Sequence, residues 1–388
     1  MNTDVLEAAT LILTRAELFH DSVRNELFKV FRTEEHQHPL KSQLSRKAVY
    51  HLVMETTRRQ NLLDEYINFV SKEKEPKFDA FLVNLLRLAT YILKEEFYSS
   101  GKSPTIDEVI RLVKEVTSSQ QSITTKDELI YCLQKIHNTK KGELLQNKTE
   151  TECLALEYFH PPWFVDYLVL MLGKSTALQL MKANNEYKQV WLRINKLQEK
   201  RSVSEIIREL TRLGVITERD PDFPDVLRVV KARKSPVTTR LYRSKHIFAQ
   251  DKTSSAISHI LDPQSQELIV DLACAYGLKF VHIATLMKKT GRMIGLDVSS
   301  YRIRKMRRSF NWMLGKNTHL ICADSRYLPL KKHIADRILL DAPCSSSGIY
   351  HMYPDHKWRD RSIVDHFSQL QKELFLSSLD VLKSSGIG

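Results

Sequence analysis

Cysteine is sparse and scattered in this sequence: Cys132, Cys153, Cys274, Cys322 and Cys344 are the five among 388 residues, and no two form a Cys-x-x-Cys pair. Neither a disulfide framework nor a cysteine-built zinc site is expected, and no metal ligands are assigned. Acid is in deficit, with 46 Asp plus Glu against 59 Lys plus Arg, a net charge of +13. Such an imbalance attracts a polyanion, and on charge alone RNA, DNA and a membrane surface are equal candidates. Long apolar runs are also missing. Nothing approaches the roughly 20 residues of a membrane-spanning helix, and Met1-Asn2-Thr3-Asp4 does not open a signal peptide. The expectation is a cytoplasmic protein without membrane attachment. No internal repeat or low-complexity tract is present.

The length supports two or three domains with proper cores. From Asp4 to about Ile136 apolar residues recur at helical spacing, as in Leu62-Leu63, Tyr66, Phe69-Val70 and in Phe81-Leu82, Leu85-Leu86, Leu88, Tyr91-Ile92. This predicts an all-α bundle over residues 1–145, with helix starts at Thr105 and Thr125 and a loop from Arg32 to Lys47. Asn138 to Thr151 is polar and lysine-rich and reads as a linker. A small α+β domain is expected over 152–248. It holds the turn His160-Pro161-Pro162-Trp163, a helix from Phe164 to Leu172, a strand at Trp191–Asn195, a helix over Ser204–Leu213 and a strand over Val226–Val230.

Over 249–388 short apolar strands alternate with helix-length segments, the pattern of an α/β, Rossmann-like parallel sheet. Leu268-Ile269-Val270, Met293-Ile294-Gly295-Leu296, Leu320-Ile321-Cys322 and Ile338-Leu339-Leu340 each end at or just before an acid: Asp271, Asp297, Asp324 and Asp341. The turn after the first strand, Asp271 to Lys279, offers backbone amides at a helix start, a seat for a carboxylate or phosphate, although Gly277 alone makes a weak glycine loop. Asp297 has the position of an acid that accepts ribose hydroxyls, or of a cap for the helix near Ser299. Asp324 reads as a contact for an adenine amino group or as a solvated loop acid. The ordered series of strand-end acids favours a nucleoside-bearing cofactor.

The fourth strand runs into Asp341-Ala342-Pro343-Cys344 and on through Pro354-Asp355 and Lys357-Trp358. A carboxylate and a thiol at the carboxyl end of a parallel strand suit chemistry at carbon 5 of a pyrimidine. That carbon is a poor nucleophile until a thiolate adds at carbon 6, and a second group then assists loss of the C5 proton and release of the enzyme. The base must be unstacked to react, which calls for a basic approach surface. Arg302, Arg304, Lys305, Arg307 and Arg308, together with the stretch Arg228 to Lys245, are candidates; a solvated charged face is the plain alternative.

Taken together, Asp271-Leu-Ala-Cys-Ala-Tyr-Gly-Leu-Lys279, Asp297 with Arg302, Asp324, and Asp341-Ala-Pro-Cys344 with Pro354-Asp355 and Lys357-Trp358 resemble the Sun/Fmu-type RNA 5-methylcytosine methyltransferases. The helical first part resembles the NusB-like domain of family members acting on small-subunit ribosomal RNA. Trp191-Leu192-Arg193-Ile194-Asn195 and Phe248-Ala249-Gln250-Asp251 resemble their connecting RNA-binding segment. The resemblance implies S-adenosyl-L-methionine as cofactor and ribosomal RNA as partner of a monomer. It assigns Ala273, Cys274, Ala275, Tyr276, Gly277, Leu278 and Lys279 to the methionine part of the cofactor. It assigns Asp297, with Arg302, to the ribose, Asp324 to the adenine, and Asp341 to the methyl donor and target base.

In that family two cysteines act: a nucleophile in a Thr-Cys segment after strand five, and the Pro-Cys thiol, here Cys344, in product release. This sequence has no Thr-Cys dipeptide. It is expected to stop before strand five, leaving strand four as an unpaired edge. Cys274 and Cys322 are expected in the core. The family's turn usually reads Ala-Pro-Gly-Gly-Lys, and Leu278 replaces a glycine where backbone approaches the cofactor. A cofactor-free RNA-binding scaffold is therefore the alternative function. An NAD-dependent dehydrogenase shares the strand-two acid but leaves Asp-Ala-Pro-Cys unexplained.

Overall fold

The structure, a computed structural model, describes residues 2–33, 43–72, 77–94, 104–118, 123–187, 189–288, 290–311 and 313–388. Spatially the chain divides into two units. The first comprises Met1–Tyr187 with Ser346–Arg361, and the second Lys188–Ser345 with Ser362–Gly388. The connecting stretch 152–187, expected with the small α+β domain, packs in the first unit.

That first unit is helical: α1 Thr3–Leu18, α2 Val23–Thr33, α3 Gln43–Arg58, α4 Gln60–Ser71, α5 Ala80–Lys94, α6 Ile106–Val116, α7 Ile123–Asn138, α8 Lys141–Leu144, α9 Glu150–Glu157, α10 Pro162–Leu172 and α11 Lys174–Ala183. Apolar residues at three- and four-residue spacing, such as Leu82, Leu85, Leu86 and Ala89 of α5, face one core with Leu6, Ile12, Leu52, Leu63 and Leu133. Thr105 and Glu108 form the expected capping box at the start of α6. Thr125 lies inside α7 rather than at its start. Residues 34–42 of the expected loop lie outside those described, and 43–47 are helical. The expected linker after Asn138 contains α8, whose Leu144 is buried in the core. Two adjacent leucines amid polar residues, Leu144 and Leu145, gave no periodic signal.

Ser346–Arg361 is anchored in this helical unit. Buried Tyr350 packs with Phe164, Val165 and Leu168. The Trp358 indole N–H donates to the Thr57 carbonyl at 2.7 Å, and Arg58 to the His351 carbonyl at 3.2 Å. Fully buried Lys357 donates to the Phe159 carbonyl at 3.0 Å and to Asn185 Oδ1. Burial, with Arg58 and Arg59 nearby, pulls its ammonium well below the usual lysine range.

The second unit has two sheets. β1 Trp191–Ile194, β2 Val215–Arg219, β3 Val226–Ala232 and β4 Ile247–Ala249 form an antiparallel sheet in the order β2-β3-β1-β4. It packs with α12 Val203–Arg212, whose Ile206 and Leu210 meet Leu192, Ile194 and Leu227. The short segment α13 Arg240–Arg243 and then α14 Lys252–Ile260 connect it onward. The other sheet is parallel, β7-β6-β5-β8-β9, from β5 Leu268–Asp271, β6 Arg292–Asp297, β7 Thr318–Cys322, β8 Ala335–Leu339 and β9 Leu382–Ile387. Its helices are α15 Leu278–Leu286, α16 Ser300–Phe310 and α17 Ser362–Val381.

The expectation of an absent fifth strand and an open edge is corrected here. β9 pairs in parallel with β8 through Ala335 with Leu382 and Arg337 with Ile387. Its residues Leu-Lys-Ser-Ser-Gly-Ile are only partly covered and lack an apolar run, so periodicity did not reveal them.

Candidate active site

Three strand ends define the site. Asp271 pairs in register with Gly295 on one side and Leu339 on the other, while Asp297 pairs with Cys322, so the carboxyl ends of β5, β6 and β8 lie side by side. Such a rim is where α/β sheets receive ligands.

The turn after β5 closes a cleft of about 210 Å³. Asp271, the residues from Ala273 to Lys279, and Asp341 all line it, together with Gln250 and Ser254 from the region before β5. Gly277 adopts φ +99°, and a Cβ there would stand 2.8 Å from Met306 and 3.1 Å from Phe310 of α16. Only glycine fits both the conformation and the space. Leu278 opens α15 and packs against the apolar cluster around Phe280 and Met306, which accommodates the side chain where the family carries glycine. Tyr276 is half exposed at the rim.

Asp271 is 1% exposed. Burial pushes its carboxyl up to about 7, against the pull of the Ala273 N–H that donates to Oδ1 at 3.2 Å. Lys279 donates to Asp341 Oδ2 at 2.5 Å, so a cation from the turn and an anion from the β8 end meet at the cleft. Cys344, three residues on, is exposed.

Asp297 and Asp324 lie along the strand ends but outside that cleft's lining. Asp297, buried, accepts from the Ser299 amide at 2.8 Å and from Arg302 at 2.8 Å and 3.1 Å, always through Oδ1. The helix cap itself is Ser299. Asp324 is held by Arg326, which lowers its carboxyl below the usual range; the guanidinium also reaches Glu373. Val298, an apolar side chain 64% exposed beside Asp297, had no sequence signal.

Of the two cysteines expected in the core, one is there and one is not. Cys274 is in the core: its Sγ lies 3.8 Å from the Met306 sulfur, and burial drives the thiol far above its ordinary range. Its sulfur thus packs against α16, although the residue is among those that line the cleft. Cys322, expected in the core, is exposed at the end of β7. The motif from Asp341 to Trp358 also divides, because Asp341 to Ser345 end the β8 side of the site while Ser346 onward belongs to the helical unit.

Sequence reasoning missed the buried polar layer beneath the turn. Arg193 of β1 is fully buried, donating to Gln250 Oε1 at 2.6 Å and to the Leu278 carbonyl at 3.1 Å. Burial brings its guanidinium down to about 10, still charged at neutral pH, while Asp225 opposes that fall. One turn along α15, His282 Nε2 lies 2.9 Å from Asp225 Oδ2, and His259 Nε2 of α14 lies 2.8 Å from Oδ1. Burial raises the Asp225 carboxyl, but the two histidines outweigh this and hold it at about 2. These side chains have metal-ligand chemistry. With the guanidinium charge beside them and both carboxylate oxygens already accepting, they form a hydrogen-bonded latch of α14 and α15 on the antiparallel sheet. No helix among the described residues is long and apolar enough to cross a membrane.

Comparison with known proteins divides the chain along its sequence, with matches that cross the boundaries of the two spatial units. Residues 3–123 match the NusB family, 160–236 the RsmF/B-like ferredoxin-like domain, and 258–387 the 16S rRNA methyltransferase RsmB/F model. Ribosomal RNA small subunit methyltransferase B of Yersinia pseudotuberculosis is 28% identical over 259 residues, covering 63% of this chain and 56% of that protein. The Yersinia pestis protein of the same name matches to the same extent. The chain thus spans little more than half the length of these relatives. Among solved structures, PH0851 has a TM-score of 0.80 at 26% identity, covering 100% of this chain and 85% of that one. A methyltransferase homolog protein from Pyrococcus horikoshii gives 0.53 at 26% identity over 62% of this chain and 76% of its own.

Proposed function

Because the chain belongs to the Sun/Fmu-type family of RsmB/F methyltransferases, we propose that it binds S-adenosylmethionine at the strand-end rim and methylates carbon 5 of a cytosine in RNA, ribosomal RNA being the substrate class. The carrying observation is the meeting of the Ala273–Lys279 turn, Asp271 and the Lys279–Asp341 pair in one cleft, with the Cys344 thiol exposed close by in sequence.

The residues present fit that cofactor. The cleft matches an amino-acid portion, with carboxylates for its ammonium and turn amides for its carboxylate. Asp297 Oδ2, which accepts no hydrogen bond from the described residues, is available to ribose hydroxyls, and Val298 offers an apolar face to adenine. When bound, the cofactor supplies an electrophilic methyl group. Asp341, oriented by Lys279, holds the polar edge of the cytosine ring. Cys344 assists release of the methylated base, the role of the Pro-Cys thiol in the family; the thiolate that adds at carbon 6 would come from a Thr-Cys segment, which these 388 residues do not contain.

Calorimetric titration with S-adenosylmethionine, followed by transfer of labelled methyl to cytosine-containing ribosomal RNA, tests the reading. Binding is expected, and a 5-methylcytosine product from a form that also carries the Thr-Cys nucleophile. No binding by the folded protein leaves the RNA-binding scaffold in its place.

A further inference from the structure

Helix α16 carries five cations, Arg302, Arg304, Lys305, Arg307 and Arg308, and no acid. Asp297 engages Arg302. The other four are exposed, and among the described residues no carboxylate lies within ion-pair distance of any of them. A solvated surface helix gains from opposite charges three or four residues apart, whereas here Arg304 faces Arg307 and Arg308, and Lys305 faces Arg308. Each like-charge pair costs roughly 0.2–0.5 kcal/mol. The arrangement stores repulsion that a polyanion relieves.

The same face carries aromatic rings. Tyr301, Arg304, Lys305 and Arg308 follow the i, i+3, i+4, i+7 spacing of one helix face. Tyr301 is 62% exposed and Tyr276, at the cleft rim, 50%. Lys305 Nζ lies 4.7 Å from the Tyr276 ring centre and 6.0 Å from that of Tyr301, so the two rings share one cation. On the opposite face Ile303, Met306 and Phe310 are buried, and Met306 and Phe310 back directly onto Gly277. The basic face is therefore fixed to the cofactor turn.

We propose that Tyr276, Tyr301, Arg304, Lys305 and Arg308 form a ridge for single-stranded RNA beside the methyl-transfer cleft, with bases stacking on the tyrosines and phosphates meeting the cations. Stacking on exposed rings needs unpaired bases, which a duplex hides, while the cations track the backbone. The inference rests on RNA being the substrate and deepens that reading.

The full chain is tested by fluorescence anisotropy with a labelled single-stranded RNA from about 50 to about 200 mM salt, the range over which phosphate contacts show. R304Q/R308Q should reduce the slope of log affinity against log salt by about 1.4, at roughly 0.7 per single-strand phosphate contact. Y301A should weaken binding by about tenfold or more, as loss of one stacked base does. Affinity for S-adenosylmethionine should be unchanged in both variants, as each retains the cleft residues. Parent-like affinity and slope in both variants overturn the ridge, as does loss confined to anionic phosphatidylserine vesicles. If the cofactor still binds in that case, the methyltransferase reading survives and only the ridge falls. If the parent binds RNA but no cofactor, the reverse holds.

Discussion

Acid should loosen α15 at a pH where most surface groups are indifferent, and His282 is the reason. Its side chain is fully buried, and burial, with Arg193 adding to it, lowers the imidazole from 6.5 to about 4 despite the bond to Asp225. A histidine with a depressed folded-state pKa is held neutral. Its contribution is complete above the unfolded value and is lost as pH falls from 6.5 through about 4. At about 1.36 kcal/mol per pH unit the whole span is worth about 3 kcal/mol, of which about 2.5 kcal/mol is gone by about pH 4.5. Asp225, lowered from 3.8 to about 2, stays ionised in the folded state and adds only about 0.1 kcal/mol of loss by about pH 4.5. The assay is native-state hydrogen exchange of the peptide covering Leu278–Leu286, corrected for intrinsic rates, at pH values between about 7.5 and 4.5. The opening free energy should fall by about 2.5 kcal/mol in the parent and remain nearly level in H282Q, whose amide can still donate to Asp225 without titrating. A level parent, or a variant falling in parallel with it, would refute the assignment.

Other expectations concern the site itself. Replacing Arg193 by Met strands the Gln250 oxygen and the Leu278 carbonyl; at roughly 1–3 kcal/mol per unsatisfied buried group, thermal unfolding should show a loss of about 3 kcal/mol, and calorimetry a cofactor affinity at least about tenfold weaker. Gly277→Ala should cost roughly 2–5 kcal/mol, combining left-handed strain with overpacking against Met306 and Phe310. G277A/M306A should recover part of this, and no recovery would place the cost entirely in the backbone. In a form of the protein that also carries the Thr-Cys nucleophile, Cys344→Ala should leave a covalent protein–RNA adduct, seen as a shifted band in denaturing gels. Loss of methylation with no adduct would instead make Cys344 the nucleophile.

The chemistry was legible where it coincided with local pattern. Asp271, Asp297, Asp324 and Asp341 could be ordered from short apolar runs alone, because a parallel strand buried on both faces writes itself as a continuous stretch of Val, Ile and Leu. Thr105 announced its helix through a capping box of four residues, Thr105 to Glu108. What stayed hidden depended on distant partners. Nothing near Lys357 or Trp358 reveals that their hydrogen bonds end 172 and 301 residues away. Nor does an arginine in a short strand disclose that the carbonyl of Leu278, 85 residues on, accepts its hydrogen bond. β4 has three residues, too few for alternation to register. Cys322 looked like core because it closes an apolar run, yet it sits where β7 emerges from the sheet.

The return of Ser346–Arg361 to the helical unit bears on how the protein is made and cut. A fragment ending at Tyr187 would contain every α-helix of that unit yet leave the carbonyls of Thr57 and Phe159 without Trp358 and Lys357, and the pocket around Phe164 without Tyr350. During synthesis the first unit cannot finish folding when its own contiguous segment has emerged; it waits for more than 150 further residues, through most of the second unit's sheet. Division of the gene at residue 187 would therefore yield an unfinished helical domain, and any excision meant to fold alone has to carry the late segment with it.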